Sequence, residues 1–156
     1  MSKPKISPIP EGPQAIIPHL SLRDAAKAIE FYQRTFGAVE TMRMNEPSGK
    51  VAHAELTIGG GRFMLAEEYP DIQSVGPQTL NGTTVSLHVY VEDVDALAER
   101  AVAAGAKLLR PVADQFYGER VAWMEDPFGH RWSFASRIED VSPEEMQRRA
   151  AAAMEG

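Results

Sequence analysis

The sequence predicts an α+β fold built from two consecutive βαβββ modules. The first observation is an internal repeat, in which HLSLRD at 19–24 and HVYVED at 88–93 both precede a helix-like segment. The second is that each helix-like segment ends at Gly-Ala and is followed by three runs with the alternation of β-strands. Two copies of one element order therefore account for residues 14–68 and 85–137.

Each predicted helix has a start signal, an apolar stripe and a stop signal. Asp24 and Asp93 precede the helices, where a carboxylate can accept hydrogen bonds from first-turn amides. Gly37 and Gly105 follow them, where helices often end in a residue of positive φ. The stripes recur at helical spacing and consist of Ala25, Ala28, Ile29 and Tyr32 in the first helix, and Leu97, Ala101 and Ala104 in the second.

The strands are separated by turn residues. The glycines at 59–61 and Pro-Phe-Gly at 127–129 predict the hairpin turn before the last strand of each module. Three segments lie outside the modules: a proline-rich tail at 1–13, a linker rich in Gly, Pro, Asn and Thr at 69–84, and a C-terminal helical segment at 138–156.

Composition and charge argue against several classes of protein. The net charge is −6 and the basic residues are scattered, which disfavours a nucleic-acid partner. The chain has no cysteine, so disulfides, thiolate metal ligands and thiol nucleophiles are excluded. No apolar run approaches the ~20 residues of a membrane span, and the N-terminus lacks the apolar core of a signal peptide. We therefore expect a cytoplasmic protein with no membrane partner.

Several strings in one order resemble the glyoxalase/bleomycin-resistance superfamily, also called vicinal oxygen chelate proteins, and its PhnB-like branch in particular. They are PIPEG, AAKAIEFYQRTFGA, HAELTIGG, LHVYVEDVDA, QFYGER, DPFGHRW and IEDVSPEEM, and they span roughly residues 14–140. The resemblance implies two curled mixed sheets around a cup, closed within one chain or between two. It also implies a small-molecule ligand and a homodimer.

Metal-using members of this superfamily place one ligand on the first and last strand of each module. The resemblance maps these positions onto Ile17, Leu65, Ser86 and Ser133. None of the four supplies the imidazole, carboxylate or thiolate that a stable divalent-metal site uses. The favoured hypothesis is therefore a small-molecule-binding protein with no cofactor, which sequesters or confers resistance to a planar or anionic compound.

A displaced metal site is the alternative, and it leaves open whether the chain is an enzyme. His19, Glu67 and His88 each lie two residues beyond a vacated position, a step that keeps a strand residue on the same face. Two imidazoles and a carboxylate match the donors of non-haem iron enzymes and some zinc sites. Such a divalent-metal set would suit a lyase, isomerase or dioxygenase. His53 and Glu55 form another same-face pair, expected at the surface or rim of the sheet.

Strand alternation predicts which side chains point into the cup. The predicted ligand-binding set comprises His19, Ser21, Glu67, Ser86, His88, Tyr90, Phe116, Tyr117, Arg120, Arg131 and Ser133. The loop 114–120 supplies two aromatic rings and a cation, which suit stacking on a planar or anionic ligand. These side chains could instead simply fill the sheet surface, as in an interaction protein whose cup is vestigial.

The stretch EDPFGHRWSF at 125–134 allows two interpretations. Its acidic pair and histidine could belong to an acid–base or metal site. Its Asp-Pro and Phe-Gly pairs are turn signals, and we expect His130 to lie at the edge of a hairpin turn.

Overall fold

In a computed structural model, which describes residues 2–155, the chain forms two four-stranded mixed sheets with helices. The first module contains β1 (His19–Leu22), α1 (Ala25–Phe36), β2 (Val39–Asn45), β3 (Val51–Ile58) and β4 (Gly61–Glu67). A short helix, α2 (Pro77–Leu80), lies in the connecting segment. The second module contains β5 (Ser86–Tyr90), α3 (Val94–Ala103), β6 (Lys107–Asp114), β7 (Glu119–Glu125) and β8 (Arg131–Arg137), and α4 (Pro143–Met154) follows.

The two sheets have equivalent strand orders, β1-β4-β3-β2 and β5-β8-β7-β6. In each module the first strand runs parallel to the last, and the other pairs are antiparallel. His19 pairs with Met64 and His88 pairs with Ser133, so these two pairs occupy equivalent positions. The predicted α+β fold of two βαβββ modules is therefore confirmed.

The helix-bearing faces of the two sheets share one hydrophobic core. Leu20 and Leu22 are buried beside α1, as strand alternation predicts. Tyr32 and Phe36 of α1 reach across to Trp132 of β8, with ring centroids 5.3 and 4.9 Å apart. Aromatic side chains bury large apolar areas and dominate core energetics. The interior is therefore built jointly by both modules.

The opposite faces of the two sheets, here called the free faces, are largely open to solvent. Met42 and Met44 of β2 are 36% and 54% exposed, and Tyr90 of β5 is 60% exposed. Among the described residues, α1 packs on the core face of the first sheet and α3 on the core face of the second. One chain therefore leaves the free faces uncovered instead of closing a cup between them.

The helices are short or polar, and none within residues 2–155 could traverse a bilayer. Most of their predicted ends are confirmed. The Asp93 side chain accepts a hydrogen bond from the Ala96 amide at 3.1 Å, and Gly37 ends α1 with φ of 69°. Ser142 begins α4 by accepting from the Glu145 amide at 3.2 Å.

Glu67 caps α1, which corrects two predictions. Asp24 has a left-handed backbone and its side chain makes no capping hydrogen bond. Glu67, at the end of β4, instead accepts from the Asp24 and Ala25 amides at 3.1 and 2.9 Å. Glu67 alternates to the same side as Leu65, which is fully buried in the core. The prediction that Glu67 points into a cup is therefore wrong.

We expect Glu67→Ala to lower the free energy of unfolding by about 1 kcal/mol, because the first turn of α1 loses its carboxylate acceptor. Urea denaturation followed by far-ultraviolet circular dichroism would measure the change. Asp24→Asn is the matched control, since it tolerates the left-handed backbone and removes no cap. Equal losses in the two variants would contradict the capping role of Glu67.

Candidate functional site

The free face of the first sheet brings His19 together with His53 and Glu55. The two imidazole rings are stacked with centroids 5.8 Å apart, and His53 Nε2 lies 3.5 Å from Glu55 Oε1. Burial, and then the neighbouring His53, lower the pKa of His19, so this side chain is largely neutral at pH 7. His53 and Glu55 are not at the rim of the sheet, because their strand, β3, is an inner strand between β4 and β2.

The free face of the second sheet carries a different polar group. A hydrogen bond of 2.6 Å joins His88 Nδ1 to the Ser133 hydroxyl, and the Tyr90 ring packs edge-on against His88 at 5.0 Å. The neighbouring Glu119 carboxylate raises the pKa of Tyr90. Ser86 is exposed at the start of β5, where it pairs with Arg131. The second sheet thus presents an imidazole already engaged by a hydroxyl.

The predicted displaced metal set is not assembled. The Glu67 carboxylate lies at the start of α1, whereas His19 and His88 lie on different sheets. Within residues 2–155, no three His, Asp or Glu side chains are grouped in a way that could hold a metal ion. The two imidazoles are therefore separate features of the two free faces.

One position mapped from the resemblance needs correction. Ile58 pairs with Gly61, so the first module's hairpin turn has two residues, whereas residues 126–130 make the longer turn of the second. The two modules therefore differ in the number of residues between the turn and the ligand position, and Leu65 is not the equivalent of Ser133. The equivalent of Ser133 is Met64, and Leu65 faces the core. A thioether is a weak donor for hard divalent ions, so the position still lacks a strong ligand.

The cation and the two aromatic rings of the loop 114–120 make contacts away from these two histidine groups. Arg120 is held by Asp95 and Asp114, with N–O distances of 2.7 and 2.9 Å, and these hydrogen bonds raise its pKa further. Phe116 and Tyr117 pack edge to face at 5.2 Å. This cation is therefore committed to carboxylates on the surface.

One pocket lies between β1 and β5, and a second adjoins it between the β3–β4 turn and β5; we call them together the β1–β5 cleft. The larger has a volume of about 750 Å³ and the smaller about 320 Å³, and Pro18 and Leu87 line both. The cleft brings together five members of the predicted set: His19, Ser21 and Arg131 in the larger pocket, and His88 and Tyr90 in the smaller. Neither pocket is lined by Phe116, Tyr117 or Arg120.

The linker forms a wall of the larger pocket, a role that sequence reasoning missed. Its contributions are Val75, Pro77, Leu80, Gly82, Thr83 and Thr84. The Glu68 carboxylate anchors this wall by accepting from the Gly76 amide at 3.0 Å and the Thr79 hydroxyl at 2.6 Å. His130 Nε2 donates to the Ser21 carbonyl at 3.0 Å and joins the second module to the same pocket. Composition indicated only a loop, since its packing depends on distant residues.

The EDPFGH stretch forms a turn with a buried structural carboxylate. Asp126 accepts four hydrogen bonds, from Tyr32 Oη at 2.5 Å, Trp132 Nε1 at 2.9 Å, and the amides of Phe128 and His130 at 2.9 and 3.0 Å. Burial raises the pKa of Asp126, while the Tyr32 and Trp132 hydrogen bonds oppose this shift. Burial and the adjacent carboxylate raise the pKa of Tyr32 well above 10. The turn interpretation is confirmed.

Comparisons with known proteins agree with this architecture. The sequence profile of the Glyoxalase/Bleomycin resistance protein/Dioxygenase superfamily matches residues 16–134. The chain belongs to this superfamily.

Three bacterial proteins illustrate the similarity. An uncharacterized protein of Mycobacterium bovis is 43% identical over 136 residues, which cover 85% of this chain and 90% of that protein. Among solved structures, TioX from Micromonospora sp. ML1 is 30% identical, with a TM-score of 0.63 over 79% of this chain and 98% of TioX. The PhnB protein from Bacillus cereus is 22% identical, with a TM-score of 0.63 over 79% of this chain and 99% of that protein. This similarity is one of fold.

Proposed function

We propose that this protein binds a small molecule in the β1–β5 cleft and thereby sequesters it or confers resistance to it. The observation that carries the proposal is the convergence of five predicted ligand residues on two adjoining pockets. Small-molecule sites are typically concave and mainly apolar, with a few polar groups that orient the ligand. The cleft has this character, since imidazoles and hydroxyls are set among Pro18, Leu20 and Leu87.

The donor chemistry supports binding without the metal of other superfamily members. With Met64 in place of Leu65, the four positions that correspond to the superfamily's metal ligands are Ile17, Met64, Ser86 and Ser133. The Ser133 hydroxyl already bonds to His88. These residues do not fit a divalent metal, whose stable sites use imidazole, carboxylate or thiolate donors. The proposed activity is therefore binding, and the absence of cysteine suits the cytoplasm as its location.

A ligand is expected to stabilise the fold measurably. At 100 times its dissociation constant, a compound that binds only the native state adds about 2.7 kcal/mol. A thermal-shift screen of planar and anionic compounds should find such shifts, and they should persist in a chelator. For a hit in the smaller pocket, His88→Ala should reduce the shift, while His53→Ala, outside the cleft, should not. Failure of the whole library on folded protein would contradict the proposal.

The free faces support a homodimer. Met42 and Met44 lie on the free face of the first sheet, because Met42 pairs with Glu55 and Met44 pairs with His53. A second copy would cover these exposed methionines and complete the cup that one chain leaves open. Burial of such apolar area is the main driving force of association.

Sedimentation equilibrium should therefore give twice the chain mass of 17.1 kDa. Met42→Asp/Met44→Asp should shift the protein to monomer, because two carboxylates would be desolvated in the interface. Val102→Asp on α3 is the matched control, since Val102 is 46% exposed and lies away from the free faces. A wild-type monomer at micromolar concentration would contradict the dimer.

A further inference from the structure

We infer that the larger pocket of the β1–β5 cleft selects an organic anion with an apolar body, and that the linker wall sets this selectivity. The inference rests on the proposed function, because it names the ligand class of the same cleft. Three observations support it: the charge of the lining, its apolar surface, and the anchoring of the wall.

The lining of the larger pocket contains cationic and neutral donors but no carboxylate. The residues Arg131, His19, His130, Ser21 and Thr84 line it, whereas no Asp or Glu within residues 2–155 does. His130 Nε2 already donates to the Ser21 carbonyl and the Ser21 hydroxyl bonds to Ser74, so Arg131 supplies the cation of the pocket. This lining differs in charge from the chain as a whole, which has 22 acidic residues against 16 basic ones. Arg131 is half exposed, and its Nε forms a long ion pair with Glu125 at 4.0 Å that is beyond hydrogen-bonding distance. Its guanidinium donors are therefore free to bind an anionic group.

Most of the remaining lining is apolar, and part of this apolar surface is exposed to solvent. Leu80 and Val85 are 66% and 64% exposed at the pocket, although both are large aliphatic residues. A ligand that covered them would remove apolar surface from water, which a small inorganic anion cannot do. The pocket of about 750 Å³ therefore suits an aromatic or aliphatic carboxylate, sulfonate or phosphate ester.

The wall is held in place before any ligand arrives. Glu68 binds Gly76 and Thr79, and Arg23 donates to both the Glu68 carboxylate and the Thr79 hydroxyl, at 3.2 and 2.9 Å. A Cβ on Gly76 would lie 2.8 Å from Leu22 Cα, so the backbone of the wall is in direct contact with β1. A fixed wall lowers the ordering cost of binding and sharpens selection among ligands.

Two fluorescent probes test the inference, because they share one ring system and differ in charge. Anilinonaphthalene sulfonate is anionic and phenylnaphthylamine is neutral. We expect the sulfonate to bind saturably and at least about tenfold more tightly. Arg131→Gln should weaken sulfonate binding about tenfold and leave phenylnaphthylamine within about twofold. Arg137→Gln is the matched control, since Arg137 lies on the same strand outside the cleft.

A second variant acts through the wall. Leu80→Asp places a carboxylate at an exposed position of α2, so the fold should be kept, and it should weaken the sulfonate more than the neutral probe. Equal affinity for both probes, or equal effects of the two arginine variants, would overturn the inference and leave the proposed function standing. If neither probe binds saturably, the inference and the proposed cleft both fail.

Discussion

Replacing Asp126 with alanine is expected to lower the free energy of unfolding by about 3–5 kcal/mol, because four hydrogen-bond donors lose their acceptor at once. Two of them, Tyr32 Oη and Trp132 Nε1, belong to side chains that are 0% and 2% exposed. Burial hides these groups from water, so no solvent molecule replaces the lost acceptor without rearrangement. Guanidinium denaturation with tryptophan fluorescence would measure the loss, and Trp132 reports directly on the site.

A double-mutant cycle separates the hydrogen bond from general disruption. Tyr32→Phe removes one donor and keeps the ring, so its own cost should be about 1–2 kcal/mol. In the Asp126→Ala background the same change should cost less, since the hydroxyl has already lost its acceptor. Strictly additive losses would show that Tyr32 and Asp126 do not act together.

Gly76→Ala is expected to cost about 2–3 kcal/mol and to weaken binding in the larger pocket. The added Cβ would lie 2.8 Å from Leu22 Cα and 2.9 Å from the Ser21 carbonyl oxygen, both backbone atoms that cannot rotate away. The linker must then move off β1, and the pocket wall moves with it. Thermal denaturation and probe titration on the same variant would measure the two effects.

Gly60→Ala is the matched control for this prediction. No heavy atom lies within 4 Å of a Cβ built at Gly60, and its φ is not positive. We expect its stability to stay within about 1 kcal/mol of the wild type. A similar loss at both glycines would show that the close approach to β1 is not the cause.

Local patterns predicted the elements well because periodicity reports directly on burial. Alternation in HLSL and RWSF puts Leu20 and Leu22 of β1, and Trp132 and Phe134 of β8, on one face of each strand, and all four are buried in the core. The same alternation put His19, Ser21 and His88 on the opposite side, and all three line the cleft. Their role as ligand contacts stays a prediction.

Long-range packing accounts for what the sequence could not predict. The capping role of Glu67 depends on β4 ending beside the start of α1, which no local motif announces. The proximity of His53 to His19 depends on strand order, because these residues are far apart in the chain and only β4 lies between their strands. The linker wall likewise depends on contacts with Glu68 and β1.

The shared interior has a consequence for how the duplicated halves relate to each other. Tyr32 and Phe36 belong to the first half, yet they pack against Trp132 and bond to Asp126 in the second. Neither half would retain a complete interior alone, so the repeats are no longer separable domains. Cutting the chain between them should leave the fragments associated, and the intact protein should melt in one cooperative transition.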